Sequence, residues 1–369
     1  MSAEHTHNGL SVQYSNWMAR IFLKSAYENQ WVIPEPLSPL IAKFLRWYEH
    51  NRMSIDLTEI QIDRPIFIIS LPRCGSSMLQ DILCTHPDLA YTTNLMDISR
   101  PHFCAAEHFR KKLNLNIRGE RFLKDSVVVD GSSPADPVAT WADFFGEDYY
   151  EIGNRAPSID ALSLEQTNFI QTSLKKVLWS AGKPQGRFFC KTPMLLPYVG
   201  VLNQLFPDAK FIHLIRDPRQ GANSMVKIHQ ICNQQLCAIH QRKGLPAPEK
   251  PFIPYPRLPK LNEHLENYGP EDIRTTAHLW NDAIEIVDTH RGSLKNLFEV
   301  RYEDILADPR AQLQELFQFC GLSTPMDQNS NYQDRLNGVG VIHHKNDYHD
   351  FSTVESICAD SMKRFNYLD

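Results

Sequence analysis

A short loop with the sequence LPRCGSS, residues 71–77, has the composition of an anion-binding site. It lies between an apolar run and a helical pattern, and the first backbone N–H groups of a helix are unpaired at the positive end of its dipole. Gly75 lets the backbone approach an anion closely, and Arg73 offers a bidentate cation. Ser76 and Ser77 add hydroxyl donors. The loop is therefore predicted to bind a phosphate group.

The features that the loop lacks indicate which kind of phosphate it can bind. It is shorter than the G-x-x-x-x-G-K-[ST] nucleotide motif and has no lysine in that place, so it suits a β,γ-phosphate with magnesium poorly. A single 5′-phosphate that carries a sulfate suits it better. Two alternatives stay open here: a P-loop nucleotide kinase-like phosphotransferase, and an ordinary strand-to-helix turn with N-cap serines.

A second basic segment, Arg216-Asp217-Pro218-Arg219, follows another apolar run, and Ser224 comes eight residues after its first arginine. A dianionic phosphate is well served by a fixed guanidinium together with a hydroxyl group from the next helix. Arg216 and Ser224 are therefore the candidates for a second phosphate site.

The elements that must position these residues alternate along the chain. Four short apolar runs are predicted to be strands, and each is followed by a loop and a helical pattern. Strands that alternate with helices predict an α/β fold, with a central parallel sheet and flanking helices, in which ligands bind at the carboxyl ends of the strands. The predicted strands are 64–70, 187–193, 210–218 and 297–305, and later helices are predicted over 309–320 and 354–365.

The whole chain, residues 1–369, is predicted to form one domain. Residues 1–60 form a helical amino-terminal extension, in which Leu40, Phe44, Leu45 and Tyr48 share one face at helical spacing. Two regions interrupt the alternation of strands and helices, namely 95–185 and the stretch 244–270, which begins proline-rich. Both are expected to cover the ligand edge of the sheet, and a plain surface connection is the alternative for the second.

These motifs resemble those of sulfotransferases that use 3′-phosphoadenosine 5′-phosphosulfate (PAPS), chiefly the tyrosylprotein, heparan and bacterial members. In that family a strand ends in P-[RK]-x-G-[ST]-[ST] before a helix, and this chain has PRCGSS. The R-D-P-R segment with its later serine is the second match. The V-R-Y-E-D-I segment around Tyr302 and the K-T-P segment at Lys191 are the third and fourth. The resemblance spans roughly residues 64 to 365 in the family's order.

The resemblance implies PAPS as the cofactor and assigns residues to it. In the family the arginine and serine of the second motif hold the 3′-phosphate, the tyrosine contacts the nucleotide, and a late loop often adds a basic residue. For that last role Lys345 is the candidate, with an exposed loop lysine as the alternative. The implied cofactor-binding residues are Arg73, Cys74, Gly75, Ser76, Ser77, Arg216, Ser224, Tyr302 and Lys345.

Sulfuryl transfer depends chiefly on in-line positioning and charge stabilisation. Negative charge builds on the bridging oxygen, and Lys191, or Arg73, is the natural partner for it. The family's general base is a glutamate a few residues beyond an H-P-D segment, but residues 86–97 contain none. Asp97 is the nearest carboxylate and His102 the nearest imidazole, so both are predicted as catalytic residues. A solvated carboxylate or helix cap is the alternative for Asp97. A homologue that binds nucleotide without turnover also remains open.

His229, Cys232, Cys237 and His240 fall within twelve residues and have the types of zinc ligands. If this stretch is helical, the two histidines are separated by ~16 Å of rise, which is too far for one tetrahedral ion. No metal is therefore predicted. The eight cysteines show no short repeating framework and are interpreted as reduced thiols.

The net charge of −5 argues against a broad surface for nucleic acid or a sulfated polysaccharide. A small alcohol, phenol, amine or lipid is therefore the predicted acceptor. No stretch approaches the ~20 apolar residues of a membrane span, so the chain is expected to be cytoplasmic with no transmembrane anchor. The sequence does not indicate an oligomeric state.

Overall fold

The computed structural model describes residues 13–21, 37–120, 128–146, 162–249, 251, 253, 256–324, 330–337, 339 and 350–368. At its centre lies a five-stranded sheet in which every neighbouring pair of strands is parallel. This confirms the predicted α/β class. Numbered in chain order, its strands are β2 (Ile66–Ile69), β3 (Leu89–Tyr91), β6 (Arg187–Lys191), β7 (Lys210–Ile215) and β8 (Leu297–Arg301).

The order of strands across the sheet is β3-β6-β2-β7-β8, so the strand that precedes the phosphate loop is the central one. Ile68 of β2 is paired with Lys191, and Ile69 with His213 of β7. Ile215 of β7 is in turn paired with Arg301 of β8. Four strands therefore end at one edge, and the four sequence motifs follow those ends side by side.

Helices cover both faces of this sheet, and their bounds give the rest of the architecture. Within the described residues they are α1 (Pro39–Asn51), α2 (Ser76–Leu83), α3 (Asn94–Ile98), α4 (Phe103–Lys112), α5 (Val138–Phe145), α6 (Leu164–Ser180), α7 (Val199–Leu205), α8 (Pro218–Lys243), α9 (Leu261–Tyr268), α10 (Ile273–Arg291), α11 (Tyr302–Ala307), α12 (Pro309–Cys320), α13 (Ser330–Asn337) and α14 (Ser352–Arg364), with a 3₁₀ helix at Pro193–Tyr198. None of them has the length and apolar character that crossing a bilayer needs.

Successive side chains of the central strand point to opposite faces of the sheet, and both faces are covered by helices. The strand is therefore buried on both sides. Phe67 and Ile69 pack into one apolar cluster, which includes Trp141 and Phe211. Ile66 and Ile68 pack into a second cluster with Leu79 of α2 and Phe317 of α12. The apolar run therefore forms a buried parallel strand, as predicted.

Short strands that the sequence did not indicate occur in the amino-terminal extension, in the first interrupting region and just before it. A small antiparallel sheet joins β1 (Gln13–Tyr14), β4 (Ile117–Glu120) and β5 (Val128–Asp130). The edge strand β3 also lies in a stretch for which no strand was predicted. Each of these strands has two to four residues, too few to show a periodic pattern.

The helix predicted in the amino-terminal extension is observed as α1 (Pro39–Asn51), but its apolar side chains differ in exposure. Leu45 is buried, but Leu40 is 80% exposed and Phe44 is 47% exposed. The helix turns Leu45 and Glu49 inward instead, because it packs on α4 through that side.

Candidate anion-binding and transfer site

The phosphate loop is shaped by two residues with left-handed backbone conformations. Arg73 has a φ of 69° and Gly75 has a φ of 90°. Gly75 is the N-cap of α2, and it has no side chain with which to occupy the first N–H groups of the helix. The helix therefore begins with donors directed at the end of the sheet, as an anion requires.

Tyr302 lies against this loop. A Cβ atom at position 75 would fall 2.3 Å from Cδ2 of Tyr302, closer than any carbon contact allows. The guanidinium of Arg216 lies 4.9 Å from the centre of the same ring, within range of a cation–π contact. The tyrosine thus joins the first and second motifs from the adjacent strand end.

The first and second motifs are also hydrogen-bonded to each other. Arg73 Nε donates to Ser224 Oγ at 2.9 Å, and Arg216 Nη1 donates to the backbone oxygen of Arg73 at 2.7 Å. A further bond joins Arg216 Nη2 to Gln220 Oε1 at 2.7 Å. Residues from two distant parts of the chain are therefore held as one basic cluster.

Two buried polar atoms at these strand ends suit a bound anion. Arg216 is 9% exposed and Thr192, which follows β6, is fully buried. Within the described part of the chain, neither Arg216 Nε nor Thr192 Oγ1 has a hydrogen-bond partner. Buried polar groups are normally paired, so a ligand with acceptor oxygens would complete this site.

Lys191 ends β6 beside the loop and is only 4% exposed. Its Nζ lies 3.1 Å from Oδ2 of Asp136, a carboxylate that is 42% exposed. Asp136 reaches this place because Ala135 N donates to Thr92 O and Gln80 Nε2 donates to Ala135 O. A buried cation thus meets an accessible carboxylate at the edge where the phosphate loop lies.

Sequence reasoning missed Asp136. Neither its spacing nor its residue type links it to Lys191, because the contact depends on the packing of its segment beside the residues that follow β3. The only signal available was a carboxylate in a Ser-Pro-rich segment immediately before a helix.

Asp97 is buried, and its side chain already accepts hydrogen bonds at the start of α5. Its Oδ1 accepts from Thr140 N at 3.0 Å and from Thr140 Oγ1 at 2.6 Å, which satisfies a first-turn donor of α5. Burial raises the pKa of this carboxyl, although Arg100 and the two bonds from Thr140 oppose the rise. The structure therefore places Asp97 in the capping arrangement that its sequence left open.

His102 is buried at the N-cap position of α4. Burial lowers its pKa, and the nearby charges that act on it belong to Glu49, Arg46 and Lys176. Glu49 and Arg46 lie on α1 and Lys176 lies on α6, so the charges around this histidine come from these helices rather than from the strand ends. Lys345 lies outside the described residues.

The buried thiol of Cys74 is part of the loop's framework. Its Sγ donates to the backbone oxygen of Leu71 at 2.7 Å, and burial raises its pKa. Cys74 therefore contributes to the shape of the loop rather than a reactive thiolate.

The stretch with the types of zinc ligands is part of a single helix, α8 (Pro218–Lys243). Its four candidate ligands follow one another along that helix, and His229 Nδ1 lies 2.6 Å from the backbone oxygen of Pro270. Among the described residues no group of side chains has the arrangement of a metal site.

A parallel sheet with a glycine-turned anion loop and basic residues at the adjacent strand ends defines a P-loop-like α/β protein. The chain belongs to the sulfotransferase family, because the protein-family model described as "Sulfotransferase family" matches residues 65–241 and 258–326. The resemblance noted in the sequence is thereby confirmed.

Two named relatives and one solved structure illustrate the similarity. Omega-hydroxy-beta-dihydromenaquinone-9 sulfotransferase Stf3 of Mycobacterium bovis is 25% identical over 273 residues, which are 70% of this chain and 63% of that protein. Protein-tyrosine sulfotransferase A of Caenorhabditis elegans is 22% identical over 278 residues, 75% of this chain and 54% of that protein. The matches thus cover less than two thirds of either relative. Sulfotransferase STF9 of Mycobacterium avium shares the fold, with a TM-score of 0.54 and 12% identity over 87% of this chain and 81% of that one.

Proposed function

We propose that the protein is a PAPS-dependent sulfotransferase that acts on a small-molecule alcohol, phenol, amine or lipid. The observation that carries this proposal is the basic cluster of Arg73, Arg216 and Ser224, closed by Tyr302 and joined to the start of α2. It offers two kinds of anion ligand close together, as a nucleotide with two separate phosphate positions requires.

The residues divide between the two phosphates. The loop from Arg73 to Ser77 would hold the 5′-phosphate, while Arg216 and Ser224 would hold the 3′-phosphate, with Tyr302 beside the nucleotide. Bound PAPS supplies the sulfuryl group. The unpaired Nε of Arg216 and Oγ1 of Thr192 support the fit of an anionic group at this edge.

Lys191 would stabilise the negative charge that develops on the leaving oxygen, because a buried cation acts through a medium of low dielectric. Asp136 is our candidate for the group that removes the acceptor's proton. It is the accessible carboxylate in contact with Lys191, and the ion pair fixes its position. Asp97 and His102 remain predictions for that role.

The nature of the acceptor is supported by the relatives and by the chain's charge. One relative is named for a hydroxylated menaquinone derivative and another for protein tyrosine. The net charge of −5 disfavours a polyanionic acceptor, so we retain a small molecule as the proposal. Residues 95–185 and 244–270 are proposed to frame its pocket, and the two segments matched by the family leave 242–257 between them.

Calorimetric titration of 3′-phosphoadenosine 5′-phosphate (PAP), the desulfated product, tests the cofactor. We expect tight binding to the unaltered protein and a loss of about tenfold or more in Arg216→Ala and in Ser224→Ala, since each removes a phosphate ligand. Arg274→Ala is the matched control, because Arg274 is paired with Asp272 on the exposed start of α10.

ATP with magnesium is the competing ligand in the same titration. Preference for ATP, or no binding of PAP, would favour the kinase-like phosphotransferase over the sulfotransferase. Tight PAP binding without turnover of PAPS over a panel of alcohols, phenols and amines would instead indicate a non-catalytic homologue.

A further inference from the structure

Helix α1 exposes an apolar stripe that the proposed reaction does not use. Leu40, Phe44 and Trp47 follow one another at helical spacing and are 80%, 47% and 47% exposed. Single exposed apolar residues are ordinary, but three along one helix face form a contiguous surface. We call the exposed face of α1, with its residues Leu40, Lys43, Phe44, Arg46 and Trp47, the α1 surface.

Basic side chains border this stripe. Lys43 and Arg46 are exposed on the same helix, and Arg52, directly after it, has its guanidinium 5.5 Å from the Trp47 ring. The single carboxylate of α1 is Glu49, which is buried, accepts from Ala105 N at 3.2 Å and is paired with Lys176. The charge that α1 presents to solvent is therefore entirely positive at neutral pH.

The inward face of α1 is fixed to the body of the protein. The ring of Tyr48 lies 4.6 Å from Phe109 of α4, and Phe44, at the border between the exposed stripe and the inward face, has its ring 5.5 Å from the same residue. Tyr48 also forms a hydrogen bond of 3.0 Å with His108. Because packing on α4 holds the helix in place, the α1 surface is presented in a defined orientation.

A second exposed pair lies on a neighbouring segment. Trp17 and Ile21 are 71% and 67% exposed, while Ala19 between them is buried in a cluster that also contacts Phe109. Of the nine large apolar side chains that are exposed in the described residues, five belong to this segment and to α1.

We propose that the α1 surface docks the protein on an anionic phospholipid bilayer, with α1 lying in the plane of the interface. Interfacial helices combine tryptophan, phenylalanine and leucine on one side with lysine and arginine beside them. Tryptophan favours the level of the headgroups, and each basic residue near an anionic leaflet strengthens the attraction. The inference concerns binding alone and does not depend on the proposed reaction.

A second copy of the chain fits this surface less well. Symmetric association through α1 would bring Lys43 and Arg46 towards the same residues of the other copy, and like charges repel. The net charge of −5 would keep the rest of the molecule away from an anionic membrane. Attraction to such a membrane must therefore be local, as the position of these basic residues allows.

Co-sedimentation of the full chain with vesicles tests the proposal. One set of vesicles contains phosphatidylcholine alone, and the other mixes it with phosphatidylglycerol. We expect binding to the mixed vesicles that weakens at high salt. We expect the bound-to-free ratio to fall on the order of tenfold or more in Lys43→Glu/Arg46→Glu, and similarly in Phe44→Ser/Trp47→Ser.

Matched controls separate the surface from general effects. Lys295→Glu/Lys363→Glu makes the same change in net charge at exposed positions outside α1, and Leu164→Ser alters a residue that is 84% exposed. Both controls should bind as the unaltered protein does. Absence of binding to the mixed vesicles, or equal binding by all variants, would overturn the proposal. A dimer in sedimentation equilibrium that only the α1 variants lose, with no vesicle binding, would assign the surface to a second copy.

Discussion

At the scale of single residues, the pair of Lys191 and Asp136 shows how a buried charge is made usable. A buried charge is costly unless an opposite charge is paired with it. Asp136, 3.1 Å away and 42% exposed, supplies the opposite charge from the side open to solvent. The pair keeps a cation beside the anion loop and leaves a carboxylate where an acceptor could reach it.

Asp136→Asn is expected to lower the turnover of PAPS by ~10²- to 10⁴-fold while PAP affinity changes little, because it removes a proton acceptor and not a phosphate ligand. Initial rates over the acceptor panel measure the first effect and calorimetry the second. Asp288→Asn is the control, since Asp288 is likewise partly exposed and paired, in its case with Arg291 at 3.1 Å, and lies outside the regions proposed to frame the pocket.

The same assay compares Asp136 with the two residues predicted from the sequence. Asp97→Asn retains an acceptor oxygen for Thr140 and should fold, and His102→Ala lies in the surroundings of α1. A larger loss of turnover in either of these than in Asp136→Asn would move the general base to that residue.

At the scale of elements, the edge strand β8 is joined to β7 by a polar pair between a buried histidine and a partly buried glutamate. His213 Nδ1 lies 3.0 Å from Oε2 of Glu299, its direct neighbour across the two strands, and Arg291 Nη2 donates to the same oxygen at 2.6 Å. Burial opposes ionisation of Glu299, but these two partners outweigh it and lower its pKa from 4.5 to about 2. The ionised carboxylate of Glu299 therefore stabilises the position of β8, the strand that leads to Tyr302.

Glu299→Gln should destabilise the protein at neutral pH, on the order of 2 kcal/mol. Because the folded-state pKa is depressed, the contribution of Glu299 is fully present above its ordinary pKa of 4.5 and is lost as the pH falls towards 2. Thermal unfolding across this range should show the two proteins converging at low pH. In Glu285→Gln, which breaks an exposed pair with Lys260, the change should be small at every pH. A constant gap for Glu299→Gln from pH 7 to pH 2 would contradict this account.

The junction between the phosphate loop and α2 depends on Gly75. Gly75→Ala should lose about tenfold or more in PAP affinity and on the order of 1–3 kcal/mol in stability, because the added carbon meets Tyr302 in a left-handed conformation. Gly182→Ala is a close control, with a φ of 70° and no atom within 4 Å of the added carbon. It should lose stability through strain alone and keep its affinity for PAP, and equal affinity losses in both variants would refute a role for the contact with Tyr302.

Elements with strong local signals could be predicted, and those without could not. The strand at 64–70 is observed as β2 (Ile66–Ile69), and the helix at 309–320 has the bounds predicted for it. The three-residue strand β3 had no periodicity to detect. The site behaves likewise: the four motifs follow strand ends that parallel pairing brings together, whereas Asp136 reaches Lys191 only through packing of an irregular segment.

At the scale of the whole molecule, the proposed cofactor-binding cluster is built from residues at the ends of four of the five strands of the central sheet. The loop follows the central strand β2, Lys191 ends its neighbour β6, Arg216 follows its other neighbour β7, and Tyr302 follows the edge strand β8. The sheet therefore acts as the frame that sets the distances among the proposed cofactor ligands. The α1 surface is separate from this cluster, because α1 packs on α4 and contributes no residue to the cluster.

The contact between Gly75 and Tyr302 also has a consequence for biosynthesis. The phosphate loop is made early, but Tyr302, whose ring contacts it, directly follows β8, the strand of the sheet that is translated last. A nascent chain that ends before Tyr302 has the loop without this ring contact. We therefore expect the proposed cofactor to bind only after the sheet is complete, and then to stabilise the finished fold.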